Sequence, residues 1–532
     1  MTDTKKSSRD LMCCALVSAL AIILPLIEMF FHEPWYDEAQ AFLIARDASL
    51  HDIFFVIPHY EGHPPLWHLL LLIPARLGLS CKLTLGIAQM ITYAMAVLVL
   101  EFRSPFNKIT KMLLPCSFFF LYQFAVISRP YAMMMLAMFL CADTYNEREK
   151  KPLPYILSMI FLCLCHSYGI AFAGGLAAAD ILRRIFHESS ILGGIRTINK
   201  KLLIGYGILL LSALIITAEI IPAKDSFAVN EEHKIGYPKM LLLCIILMPS
   251  ETFVTSFSQN KLVAKCTFSS LDIVLAAIIA IVFFYFIINI CRKRKILLEF
   301  IIPYFFLVII MAAYVHTHHL GIFLNIVIFI LWVAAKKEPI TMQEICEPLT
   351  KIKLSPKFAE TLIKLTVVLV TSVNLYWNAY SYVTDIKQPY EVADDAANWI
   401  NDNLGDDAYI ISSWGNNDTN HFSSNAIPIN CFYKKNIFKN AYKNISYSTH
   451  IKSSYDEYNA MINKIKELGE PDAIISNSPL IMDILSELEI DNNYEMCYFQ
   501  YCNRIFKAKD IKCSCIIYVR KDLADKVEKK LA

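Results

Sequence analysis

The side chains best suited to chemistry fall in one stretch, FFHEPWYDEAQAFLIARDASLHDIFFVIPHYEGHPPLWH, residues 30–67, directly after the first long apolar run. Asp37 and Glu38 are adjacent there, flanked by Trp35, Tyr36 and Gln40, and Glu61-Gly62-His63-Pro64-Pro65-Leu66-Trp67 follows further on. Neighbouring residues on a helix point about 100° apart, so the two acids are not a dyad sharing one proton. One of them is expected to be a working base and the other a local hydrogen-bond partner. A positioned carboxylate that removes a proton from an attacking hydroxyl contributes about 10²–10⁴ in rate. The plainer alternative is a solvated pair of loop acids.

Other candidates lie at the ends of apolar runs. Two prolines after His63 stop any preceding helix, and the second can start a new one; His63 then sits at the N-terminal end of a helix over 66–77, a position that suits an anion such as phosphate. Arg129 in ISRPYAMMM, with Tyr131 beside it, stands between two apolar runs; a charge at membrane depth is costly enough to expect a purpose. His166 and Tyr168 occur together in LCLCHSYG, and His316, His318 and His319 in YVHTHHLG. The three histidines resemble a metal cluster, but residues 318 and 319 cannot both face one point on a helix. Lipid-phosphate contact or interfacial placement is the preferred reading over zinc, and no metal or cofactor is predicted.

The elements that position these residues follow from composition. The chain is 532 residues long, 56% hydrophobic and only 18% charged, against about 25% charged in soluble domains, with mean hydropathy +0.43. It reads as a polytopic membrane protein, and its net charge of +2 gives no support to a nucleic-acid partner. Eleven of the sixteen cysteines fall before residue 350, mostly inside apolar runs, and read as small buried hydrophobes. A bilayer core of about 30 Å needs about 20 apolar residues as helix. Spans are expected at 11–31, 82–101, 111–127, 130–146, 153–168, 169–186, 201–221, 271–291, 296–315, 318–335 and 361–381, the first uncleaved. The clusters Lys5/Lys6/Arg9, Arg103/Lys108/Lys111, Arg148/Lys150/Lys151, Arg183/Arg184 with Lys200/Lys201, Arg292–Lys295 and Lys336/Lys337 then fall on one side, which marks it as cytoplasmic. Residues 32–81, 128–129, 222–270, 316–317 and the tail lie outside. The apolar runs 66–77 and 240–256 are expected to be interfacial or re-entrant; the alternative of two further spans brings the count from eleven to thirteen.

The fold class expected is therefore an all-α polytopic bundle over 1–383, with 32–81 as a large first outer loop, and a small extracytoplasmic α/β domain over 384–532. In the tail, ADDAANWINDNLGDDAYIISSW reads as helix, glycine stop at Gly405 and strand over 408–412; DEYNAMINKIKELGEPDAIISNS repeats that order, and CSCIIYVRKD is a last strand. Five cysteines lie there, Cys431, Cys497, Cys502, Cys513 and Cys515; in an oxidising compartment some could pair, and an odd count leaves one over.

WYDEAQAFLIARD followed by EGHPPLWHLLLLIPARLG resembles the first outer loop of GT-C glycosyltransferases, specifically the bacterial relatives of protein O-mannosyltransferases and of the lipid A aminoarabinose transferase. SRPYAMMML resembles the arginine-bearing start of a later span in that superfamily, and HSYG a histidine-tyrosine span end. The likeness covers about residues 10–170, weakens to about 335 and is absent from the tail. Two departures stand out: HPP occurs where some relatives carry a lysine before the prolines, and HTHHLG where an arginine-histidine pair is more usual. The resemblance implies an integral enzyme of the bacterial cell membrane, cytoplasmic at its N-terminus, that passes a sugar from a polyprenyl-phosphate donor to a glycan, lipid or protein acceptor outside. It implies Asp37 as base, Glu38 as support or acceptor contact, Arg129 and His63 as phosphate binders, and Gln40, Glu61, Tyr131, His166, Tyr168, His318 and His319 as further substrate contacts. A lipid or glycan transporter should instead show repeated broken helices or mid-span charges, and neither is found. A scaffold or sensor would make the outer domain the functional part.

Overall fold

Backbone groups have no water to bond inside a bilayer, so uncharged apolar runs there fold as helix. The computed structural model describes residues 8–224, 226, 236–257, 268–405, 407–412, 426–439, 463, 465–476 and 489–531. It is mostly helical, and six helices are long and apolar enough to cross a membrane: Asp10–Glu28, Cys81–Arg103, Lys200–Ile220, Ser270–Lys293, Thr317–Lys337 and Pro356–Lys387. Tyr131–Tyr145, Pro152–Cys165 and Leu297–Ala313 are apolar but shorter. Two helices, Tyr131–Tyr145 and Ile322–Lys337, are buried on nearly every face and form the centre, as a helix that is hydrophobic all round must be. Around them, Leu210, Leu211, Ile281, Leu365 and Leu369 point outward, an apolar exterior suited to lipid. Helix Ser167–Glu188 lies against Leu297–Ala313 so closely that a Cβ at Gly175 would stand 2.4 Å from the Pro303 Cα; a small residue is required for that approach.

The basic clusters meet at one end of the bundle through ion pairs. Arg103 and Lys336 both reach Asp143, at 2.5 and 2.8 Å, Arg148 reaches Asp180 at 2.6 Å, and Arg183 reaches Glu299 at 3.2 Å. Arg294 binds Glu344 at 2.5 Å. Arg103 closes a 23-residue helix whose other end is Cys81, so the end carrying residues 32–80 is roughly 33 Å away at 1.5 Å per residue. Lys5 and Lys6 lie outside the described residues.

Two expectations change, for the run 111–127 and for the strands of the tail. The run expected as one span over 111–127 breaks into a helix Lys108–Leu113, a 3₁₀ turn Leu114–Cys116 and a wider π turn Phe119–Gln123. Pro115 opens the break by removing a backbone donor, and residues 118–120 and 122 are wholly buried, so this segment packs inside the molecule rather than crossing it as one helix. The segments 66–77 and 240–256 form helices Leu66–Arg76, too short to cross, and Tyr237–Phe253, 17 residues long and at the lower limit. The tail contains one long strand that was not expected.

The tail sheet has strand order β1-β2-β4-β3-β5: β1 Ile410–Ser412, β2 Ala473–Ser476, β3 Tyr494–Phe506, β4 Lys509–Arg520 and β5 Lys530–Leu531. β1 pairs parallel with β2, β2 and β3 both pair antiparallel with β4, and β5 lies parallel to β3. Helix Ala393–Asn403 and Gly405, at φ +74, precede β1 as expected. Of the helix expected before β2, much lies outside the described residues. The turn of the β3–β4 hairpin is driven into the bundle: Lys507, at φ +58 and fully buried, donates to the Glu251 carbonyl at 2.6 Å and to the Thr255 carbonyl, and lies 4.5 Å above the Trp377 ring. Its ammonium is 3.4 Å from the Glu251 carboxylate. Burial weighs most on this lysine and outweighs the attraction of Glu251, lowering its pKa to about 8. Removing one partner of a buried pair leaves the other uncompensated, at about 3–5 kcal/mol. Lys507→Ala is therefore expected to lower the stability of the purified chain by that amount in thermal or denaturant unfolding. Adding Glu251→Gln to it should restore part of the loss.

Candidate functional site

Helix Tyr36–Asp47 starts where Pro34 and an extended Trp35 set the chain. Glu38, in its first turn, reaches back to accept from the Trp35 N–H at 3.2 Å, the return half of a capping box. The same carboxylate accepts from the Ser128 N–H at 2.5 Å and contacts His32 Nε2 at 3.1 Å. On its far side His32 Nδ1 meets Asp385 Oδ2 at 2.9 Å, and the Tyr122 hydroxyl donates to that oxygen at 2.9 Å. His32, Glu38 and Asp385 are all buried. Burial opposes a charged ring most strongly, yet the carboxylates of Asp385 and Glu38, with their hydrogen bonds, outweigh it and push the His32 pKa up to about 10. The ring is an imidazolium donating from both nitrogens, and it ties the first loop to the end of helix Pro356–Lys387.

Glu38 is thereby committed to protein partners on both oxygens, which makes it a support and leaves no oxygen for an acceptor. Asp37, about 100° round the same helix, keeps its side chain 24% exposed, with Oδ2 3.7 Å from Arg129 Nη2. Arg129 also donates from Nη1 to the Asp37 carbonyl at 3.1 Å, while its Nε finds no acceptor. Arg129 is 8% exposed and is not a snorkelling arginine.

Imidazoles and phenols line the space beyond Arg129. Gly62, at φ +64, ends the turn Pro58–Glu61 and releases His63 toward the bundle. The His63 ring lies 4.2 Å from that of His166, and His166 lies 4.4 Å from Tyr168 and 5.6 Å from Tyr131. His166 occupies the break between helices Pro152–Cys165 and Ser167–Glu188, where Nδ1 accepts from the Tyr168 N–H at 3.2 Å and Nε2 has no partner. His318 and His319 stand 5.6 and 5.9 Å from Tyr131. They sit in a 3₁₀ turn, Thr317–Gly321, with their rings 4.3 Å apart, so both reach one cluster, contrary to the helical expectation. His319 Nδ1 accepts from the His316 N–H and lies 3.0 Å from the Tyr168 hydroxyl. Gln40 donates to Glu61 at 2.6 Å.

The structure thus brings Asp37, Arg129, His63, Tyr131, His166, Tyr168, His318 and His319 to one rim, with Gln40 and Glu61 paired on the same loop. Among the described residues no group of three or more His, Cys, Asp or Glu side chains could hold a metal ion. Chemically, a partly open carboxylate beside a buried guanidinium and several neutral donors can accept a proton and hold an anion. Sequence reading missed His32, Tyr122 and Asp385. His32 stood inside the quoted stretch, and Asp385 was an acid at the end of the last apolar helix; a charge so placed is itself a signal.

The His32 pKa has a consequence for stability. A folded value raised to about 10 from 6.5 means the contribution is complete below pH 6.5 and disappears as pH rises through 10. His32→Gln is expected to flatten the fall in melting temperature across that window. No protein-family model matches the chain, and no curated protein or solved structure matches it.

Proposed function

We propose that the protein is a membrane glycosyltransferase that moves a sugar from a polyprenyl-phosphate donor to a hydroxyl-bearing glycan, lipid or protein acceptor at the non-cytoplasmic face. In this reading the chain crosses a bacterial cell membrane several times, its N-terminus is cytoplasmic, and the tail domain is extracytoplasmic. The observation that carries the reading is Asp37: its carboxylate is partly open, beside Arg129 and the His63–His166 pair, at the bundle end remote from the basic clusters. A lipid donor arrives sideways through the bilayer, so a site at the helix ends suits it better than one in the tail sheet.

Asp37 takes the proton of the acceptor hydroxyl as that oxygen attacks the anomeric carbon. The bond from that carbon to the phosphate oxygen breaks, and the lipid phosphate leaves with the electron pair. Direct displacement inverts the anomeric centre. Arg129 and His63 lie where the departing phosphate gathers charge, and donors so placed are worth a few kcal/mol in the transition state. Glu38 positions the helix rather than touching substrate. Tyr131, His166, Tyr168, His318 and His319 shape the donor side, and Gln40 and Glu61 the loop above it.

Asp37→Asn should fold normally and lose about 10²–10⁴ in transfer from a polyprenyl-linked sugar; wild-type turnover by the purified variant would remove Asp37 from the role. For Arg129→Lys the loss is expected in donor use, seen as a raised KM for the lipid with acceptor dependence unchanged. Equal loss toward both substrates would point to general damage instead.

A further inference from the structure

Two histidines of the rim act as hydrogen-bond acceptors for the backbone. His166 is the N-cap of helix Ser167–Glu188, in an extended conformation, and its Nδ1 accepts from the Tyr168 N–H at 3.2 Å. His319 does the same in the turn Thr317–Gly321, where Nδ1 accepts from the His316 N–H at 3.0 Å. Tyr168 connects the two: its hydroxyl donates to the Tyr314 carbonyl at 2.6 Å and lies 3.0 Å from His319 Nδ1. Asn, Asp and Ser are the usual residues for a helix cap, and none of them changes its role near neutral pH. An imidazole does. Only the neutral ring has a nitrogen that accepts, because both nitrogens of an imidazolium are donors.

The surroundings of His166 offer a charged ring no compensation. The residue is 1% exposed and stands at the positive end of a 22-residue helix. His63, Tyr168, Tyr131 and His319 face it at ring distances of 4.2, 4.4, 5.6 and 6.1 Å, with His318 and His316 behind His319. Arg129 adds a fixed positive charge. The acids of the rim are engaged elsewhere, Asp37 with Arg129 and Glu61 with Gln40, and the thiol of the preceding residue, Cys165, donates to the Phe161 carbonyl.

We propose that His166 is a proton-sensitive latch on the rim: a proton on Nδ1 turns the acceptor into a donor, the cap is lost, and the first turn of helix Ser167–Glu188 opens, drawing Tyr168 away from Tyr314 and His319. The new N–H can turn to the Ser167 hydroxyl, 3.2 Å away, but the Tyr168 N–H is left without its acceptor. The closed cap excludes the proton and the open one takes it up. Opening is therefore linked to one proton, and with an ordinary imidazole value of about 6.5 the open population rises up to about tenfold for each pH unit below that. The latch stands on its own geometry. Its consequence for chemistry, that acid dismantles the donor side of the site, rests on the transferase reading above.

The test is amide hydrogen exchange on the full chain in lipid nanodiscs, read by mass spectrometry over the peptide that carries Tyr168 and corrected for the intrinsic pH dependence of exchange. In the wild type, protection is expected to fall about 30-fold between about pH 7.5 and about pH 5, the result of one proton taken up at about 6.5. His166→Asn keeps a capping oxygen that does not titrate, and protection of the same peptide should then stay constant over that range; His166→Ser serves if the first variant does not fold. Constant protection in the wild type overturns the proposal, and so does a folded variant that keeps the wild-type fall. No substrate is needed for the measurement. A chain that shows the fall without transferring sugar keeps the latch and loses the proposed function, while an active transferase with constant protection does the reverse.

Discussion

The rim that carries Asp37 depends on one buried imidazolium. His32 stands between two carboxylates, Glu38 at 3.1 Å and Asp385 at 2.9 Å, and each of the three would be costly to bury alone. A charge in a low-dielectric interior is costly without partners, and Ser128, Trp35 and Tyr122 supply further ones, while Asp385 Oδ1 has none. The network joins the loop after the first helix, the start of the next, the segment before Arg129 and the end of helix Pro356–Lys387. Because Glu38 is pinned inward, the turn of the helix sends Asp37 sideways toward Arg129. The direction of the one open acid is thus set by a group that takes no part in the chemistry proposed for it.

The same rim is closed from above by the tail. A hairpin turn carries Lys507 into the helix ends, where two carbonyls and a carboxylate receive it, and Phe506 packs 5.5 Å from Phe118 in the irregular segment behind the site. Arg46 and Cys431 tie the opposite edge of the tail to helix Tyr36–Asp47. The break at Pro115 is what makes room for this: a straight helix over 111–127 would have no buried ring cluster for the hairpin to meet. A domain fastened at two edges of the same helix group holds the loop between them, which is how a site built from four separated segments keeps its geometry.

Much of this was legible in local spacing. The apolar run lengths, the one-sided basic clusters, the proline pair after His63 and the glycine stop at Gly405 each follow from neighbours within a few residues, and each reappears as a helix end or a turn. β3 was missed because Tyr494–Phe506 mixes polar and aromatic residues without clean alternation; its pairing with β4, residue by residue from Tyr494 to Phe506 apart from one bulge, is what makes it a strand. The rings of His318 and His319 both come beside Tyr131 and lie 4.3 Å apart, a contact that sequence spacing does not encode.

By itself the sequence determined that the chain is rich in helices long and apolar enough to cross a membrane, and that its carboxylates, histidines and arginine gather at the ends of those runs. Those properties depend on composition and on spacings of one helical turn, which any chain carries with it before it folds. Only the tertiary structure decided which acid of the Asp37–Glu38 pair is enclosed and which is open. That choice rests on His32 and Asp385, separated by 353 positions, and no local pattern encodes a contact whose partners meet only after the bundle and the tail have packed.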